Sequence, residues 1–107
     1  ESELRVQATR AVSNFCARHP GAGDAIVAVD GALEGLIHAA GNGAAADTRK
    51  HAVLALYHMT RQVDLARTIT RAGGVGALKK AIDNNSDSEE TKVLARRCLH
   101  ALEQAGA

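Results

Sequence analysis

Gly31-Ala32-Leu33-Glu34-Gly35-Leu36-Ile37-His38-Ala39-Ala40 and Gly73-Gly74-Val75-Gly76-Ala77-Leu78-Lys79-Lys80-Ala81-Ile82 follow one pattern: glycine first, then apolar residues two, five, eight and nine positions on. The two stretches lie 42 residues apart. A second block occurs three times, as Ala11-Val12-Ser13-Asn14-Phe15, Ala55-Leu56-Tyr57-His58-Met59 and Cys98-Leu99-His100-Ala101-Leu102, at offsets of 44 and 43. Spacing of three and four residues puts such positions on one face of a helix. A period of about 40–47 residues built from helical patterns alone predicts stacked helical repeats, a solenoid.

Working outward, Val6, Ala8, Ala11, Val12 and Phe15 predict a helix from Ser2 to about Arg18, ended by His19-Pro20-Gly21. Proline removes a backbone donor and disfavours helix in the residue before it. A short helix with Ile26, Val27 and Val29 should stop at Asp30-Gly31, where glycine can take the left-handed closing conformation. The Leu33, Leu36, Ile37 and Ala40 stripe closes at Gly41-Asn42-Gly43. Asp47 or Thr48 is expected to cap a helix carrying Val53, Leu54, Leu56 and Met59. Leu65 and Ile69 mark the next element, then Leu78, Ala81 and Ile82 another. After the polar turn Asp83-Asn84-Asn85-Ser86-Asp87, Ser86 and Glu89 have capping-box spacing for a last helix with Val93, Leu94, Cys98, Leu99 and Leu102. No stretch alternates with a period of two, so the fold class is all-α. Leu33, Leu36, Ile37, Leu54, Leu56, Leu78, Ile82, Leu94, Leu99 and Leu102 form the expected core. Truncating Leu36 or Leu99 to Ala should cost about 2–5 kcal/mol.

Three helices per unit, with a glycine between the first and second, resemble the armadillo repeat rather than a two-helix unit. Ala28-Val29-Asp30-Gly31-Ala32-Leu33 and Thr70-Arg71-Ala72-Gly73-Gly74-Val75 are similar to that family's junction, and Ala11-Val12-Ser13-Asn14-Phe15 to its third helix. The resemblance implies a right-handed superhelix of about two and a third repeats. Residues 1–19 would be the third helix of a leading repeat, with repeats at 20–62 and 63–107. It also implies a concave groove of third helices where peptides or partner helices dock. In peptide-binding members a repeated asparagine lines the groove, often with a tryptophan one turn earlier. Here those positions hold Asn14 with Arg10, then His58 with Leu54, then Ala101 with Arg97, and there is no tryptophan. A receptor for nuclear localisation signals is therefore not expected.

Composition narrows the remaining function classes. The apolar share is 46%, but 22 residues are alanine, so the core should be thin and its helices closely spaced. A formal charge of +1, from 13 basic and 12 acidic residues, argues against nucleic acid or an anionic membrane as partner. No run of 18 apolar residues occurs. Isolated Cys16 and Cys98 on apolar faces are expected to be buried, reduced thiols, which suits a cytoplasmic or nuclear setting. His51 and His58 share a face, but their spacing is two helical turns, about 10.5 Å of rise. No metal or cofactor is expected, and no phosphate-loop or hydrolase motif suggests an enzyme.

The expected function is therefore a protein–protein interaction scaffold. Its groove would present Arg10, Asn14, His51, His58 and Arg97, with Arg61 at the edge and no carboxylate in the set. The partner would be a protein or peptide, acidic in character, and histidine protonation should strengthen binding below about pH 6.5. Another reading is a spacer or autoregulatory segment of a larger protein. The chain starts inside one third helix and ends after another, the framing of an excised piece. Val6, Val12 and Phe15 at one end, with Leu94 and Leu102 at the other, are expected to leave apolar surface that favours self-association.

Overall fold

A computed structural model describes residues 3–43, 45–84 and 86–106. They form seven helices and no strand: α1 (Glu3–Arg18), α2 (Ala22–Ala28), α3 (Ala32–Asn42), α4 (Ala46–Met59), α5 (Val63–Arg71), α6 (Gly74–Asp83) and α7 (Glu89–Gly106). The long helices α1, α4 and α7 lie side by side, α1 on α4 and α4 on α7. Behind them α3 packs on α4 and α6, and α6 packs on α7. The packing of α3 on α4 thus recurs as that of α6 on α7, whereas α5 packs on α7 without a comparable α2–α4 contact.

Two glycines set the corners of this arrangement. Gly31 and Gly73 have φ of +79° and +95° at the N-caps of α3 and α6. Only glycine takes that conformation without a steric cost, so each short helix can turn sharply into the next. Two other glycines allow close approach. A Cβ on Gly41 would lie 2.9 Å from the Ala77 Cα, so α3 and α6 touch almost backbone to backbone. A Cβ on Gly23, in the first turn of α2, would overlap the Leu65 side chain of α5.

The core runs through α3, α4, α6 and α7. Leu33, Leu36, Ile37, Leu56, Leu78 and Leu102 are buried, as their periodicity requires, alongside Val53, Met59, Leu65, Ile69 and a set of fully buried alanines. Leu54, Ile82, Leu94 and Leu99 are only half-buried, because each lies at the edge of its helix's apolar stripe. Leu99→Ala should consequently cost less than Leu36→Ala.

Local details depart from expectation where side chains found better partners. Neither Asp47 nor Thr48 caps α4: Ala45 is the N-cap, without a side-chain bond, and Thr48 is buried. α7 begins after Ser88, whose Oγ accepts the Thr91 N–H at 3.2 Å, while the Ser86 N–H turns back to Asn84 Oδ1 at 2.9 Å. Ser88 thus takes the capping role that the Ser86–Glu89 spacing suggested. Val29 is 60% exposed beyond the end of α2, and Val27 also faces outward. Of the expected end surface, Phe15 is 41% exposed and Val6, Val12 and Leu94 are half-buried, but Leu102 is buried. α5 and α6 both pack on α7, which accounts for the covered end.

One of the 13 basic residues is buried: the Arg49 side chain is 6% exposed and pairs with a fully buried Asp87. Two loops, the one before α4 and the one before α7, are pinned together there.

Candidate functional site

α1 and α4 run side by side and leave a furrow between them, with recesses at both ends. At the N-terminal end Glu3, Val6, Gln7 and Arg10 face Ala45, Ala46, Asp47 and His51 around about 460 Å³. Arg10 and His51 line this same recess. Glu3 and Asp47 join them, so this end of the groove is charge-balanced rather than purely cationic.

At the C-terminal end a recess of about 210 Å³ is lined by Cys16, Ala17, Arg18, His19 and Pro20 on one side, and by His58, Met59, Arg61, Gln62 and Leu65 on the other, with Gly23. Arg18, His19, His58 and Arg61 are all cationic or can become so, and no lining residue is a carboxylate. The Arg61 Nη2 lies 3.1 Å from His58 Nδ1. Because a guanidinium can only donate, His58 accepts at Nδ1 and carries its proton at Nε2. Gln62 Nε2 donates to the Pro20 carbonyl at 2.9 Å, tying the two helix ends together. The Phe15 ring lies 5.1 Å from that of His19.

Helix geometry explains part of this cationic cluster. Arg18 and His58 occupy last turns, where exposed carbonyls carry partial negative charge that favours cations. Four basic side chains around two helix ends exceed that need and leave a surface suited to an anionic group.

Asn14 and Arg97 are exposed on α1 and α7 and line neither recess. On the α7 side Lys50 Nζ lies 3.6 Å from Glu90 Oε1, another carboxylate near the groove. Arg18 and His19 are the residues that motif matching missed. Their signal is the helix ends: Arg18 closes α1 just before Pro20, and His58 stands in the last turn of the stacked α4.

Burial lowers the pKa of His51, with Lys50 adding to the shift, Asp47 opposing it and Arg10 lowering it further. His58 is lowered by burial first and by Arg61 second. The midpoints of protonation of these groups in the free protein therefore lie below the pH of about 6.5 of an ordinary imidazole. The Cys16 thiol, on the floor of the cationic recess, is pushed up by burial, and that of Cys98 to about 12. A thiol held protonated is a poor nucleophile, so nearby His19 does not make a Cys–His pair of it.

Among the described residues no group of three or more His, Cys, Asp or Glu could hold a metal ion, and no helix is long and apolar enough to cross a membrane. Compared with family models, curated proteins and solved structures, the chain matches none.

Proposed function

We propose that the chain is a stretch of armadillo-type right-handed solenoid that works as a protein-interaction scaffold. It holds an acidic peptide or partner segment along the α1–α4–α7 face and performs no catalysis. The observation that carries this reading is the carboxylate-free recess of Arg18, His19, His58 and Arg61. Such a recess would take a carboxylate of the partner through charge-assisted hydrogen bonds, with Arg10, Asn14, His51 and Arg97 extending the contact along the groove. The armadillo assignment is supported by the repeated packing of α1, α4 and α7 and of α3 and α6, with a left-handed glycine before each of α3 and α6. A cytoplasmic or nuclear setting suits a chain whose two cysteines are free and buried.

The spacer reading draws on a specific observation too: Glu3 and Asp47 already face Arg10 and His51, so that end of the furrow is internally neutralised. Peptide-display selection separates the readings. A random library panned on the chain should enrich sequences rich in Asp and Glu. The selected peptides should bind more weakly as salt rises and lose affinity for an R10E/R97E variant and for an R18E/R61E variant that melt like the parent. No enrichment, or affinity that both variants leave intact, would make the spacer the better reading.

A further inference from the structure

The recess at the C-terminal ends of α1 and α4 holds more positive charge than the fold uses. One wall comes from α1 and the start of α2, the other from α4 and α5, so both walls lie within the described chain. A helix end attracts cations because its last carbonyls lack partners. At the end of α7 that need is met once: Arg67 Nε donates to the Ala105 carbonyl at 3.0 Å, and α7 has no basic residue of its own in its last turn. His58 and Arg61 correspond, 43 residues on, to Ala101 and Gln104. In the recess the basic side chains are not spent on helix ends. Among the described residues, none of Arg18, His19 and Arg61 donates from its side chain to a backbone carbonyl or pairs with a carboxylate.

The side-chain bond that joins two members of the group runs from Arg61 to His58, from a cation to an imidazole. With Nδ1 accepting, the neutral His58 ring donates from Nε2. Arg18 and Arg61 supply two fixed positive charges with no counter-charge on the lining. Each guanidinium is a planar fork of donors that matches a pair of oxyanion oxygens. A carboxylate brings one negative charge and would balance one of these guanidiniums. A phosphate monoester brings about −1.5 to −2 at neutral pH and three acceptor oxygens, which balances both and still leaves an oxygen for an imidazole N–H.

We propose that the recess of Arg18, His19, His58 and Arg61 seats the phosphoryl group of a phosphorylated serine or threonine in the bound segment. The inference rests on the acidic-segment reading of the α1–α4–α7 face and names the anion taken at one end of it. The two guanidiniums take the phosphoryl oxygens from the α1 and α4 sides, and the imidazoles supply further N–H donors. Phosphorylation of the partner then strengthens its binding to this chain.

Three short peptides test this on the full chain at about pH 7.5, where a phosphoserine is largely the dianion. One carries a phosphoserine flanked by aspartates, and the matched versions carry Ser or Glu in its place. The phosphoserine peptide should bind at least about tenfold more tightly than the Glu version. NMR shifts should appear at the Arg18 and Arg61 Nε–H groups and at the His58 ring. Arg18 and Arg61 are exposed, so an R18Q/R61Q variant should melt like the parent. In that variant the phosphoserine peptide should bind no better than the Glu version. The peptide comparison needs the parent protein alone and stands whatever the variant does. Equal affinity of the phosphoserine and Glu peptides would overturn the proposal and leave the acidic-segment reading in place. No binding by any of the three would overturn both. Inorganic phosphate that binds as tightly as the phosphoserine peptide would overturn it too, giving the recess to a free anion.

Discussion

Arg49 Nε lies 2.7 Å from Asp87 Oδ1, with the two side chains 6% and 0% exposed, and this buried pair joins the first turn of α4 to the loop before α7, 38 residues further along the chain. Arg49 also donates from Nη1 to the Gly43 carbonyl, whereas Asp87 Oδ2 has no hydrogen-bond partner among the described residues. Removing one member of a buried pair strands the other charge, and the penalty is typically about 3–5 kcal/mol. Asp87→Ala should therefore lower stability by about that much in urea unfolding at neutral pH. Replacing both partners by apolar residues, as R49M/D87L, should recover most of the loss, because no buried charge is then left alone. A single substitution costing under about 0.5 kcal/mol would mean that the pair is solvated.

Two glycines of α3 should respond in opposite directions. Gly41→Ala drives a methyl group into the Ala77 backbone and should destabilise by about 1–3 kcal/mol through overpacking. Gly35→Ala meets open space within a helix and should stabilise by up to about 1 kcal/mol. Paired thermal melts check the sign difference, which follows from the α3–α6 approach alone.

The histidines give a pH dependence whose sign is fixed. His51 and His58 have folded pKa values below their unfolded ones, so below about pH 6.5 the unfolded chain takes up protons first. Their contribution to stability is full above that pH and is lost as pH falls through the folded values. Melting temperature should decline between pH 7.5 and about pH 5, and the decline should shrink in an H51Q/H58Q variant. An unchanged slope in that variant would assign the pH dependence to other groups.

Burial also separates the two thiols. Cys98 is fully buried with its pKa pushed up to about 12, whereas Cys16 lines the cationic recess and is raised less severely. Iodoacetamide at about pH 8 should modify Cys16 slowly in the native protein and Cys98 only as the chain unfolds. Equal and rapid labelling of both would contradict the burial of α7.

Helix periodicity made most of the architecture legible. The apolar stripes of α3 and α6 and the glycines before them carry helix order, corner positions and much of the core. Less legible was anything decided by contacts between repeats. Nothing local to Arg49 in the sequence calls for a buried acid; only the stacking of α4 and α7 brings Asp87 within reach. Ser88 takes the cap at α7 because spacing patterns fix a helix start only to within a residue or two. At the candidate site, Arg10 and His51 line one recess along the faces of α1 and α4, while Arg18 and His19 join His58 through the ends of the helices.

The binding face is the central claim, and an NMR titration of the full chain with a display-selected acidic peptide tests it most directly. The shifts should cluster on Arg18, His19, His58 and Arg61, extend to Arg10, Asn14, His51 and Arg97, and fade as salt is raised. Shifts confined to the α2–α5 edge or to the α3–α6 layer, with these residues silent, would contradict it.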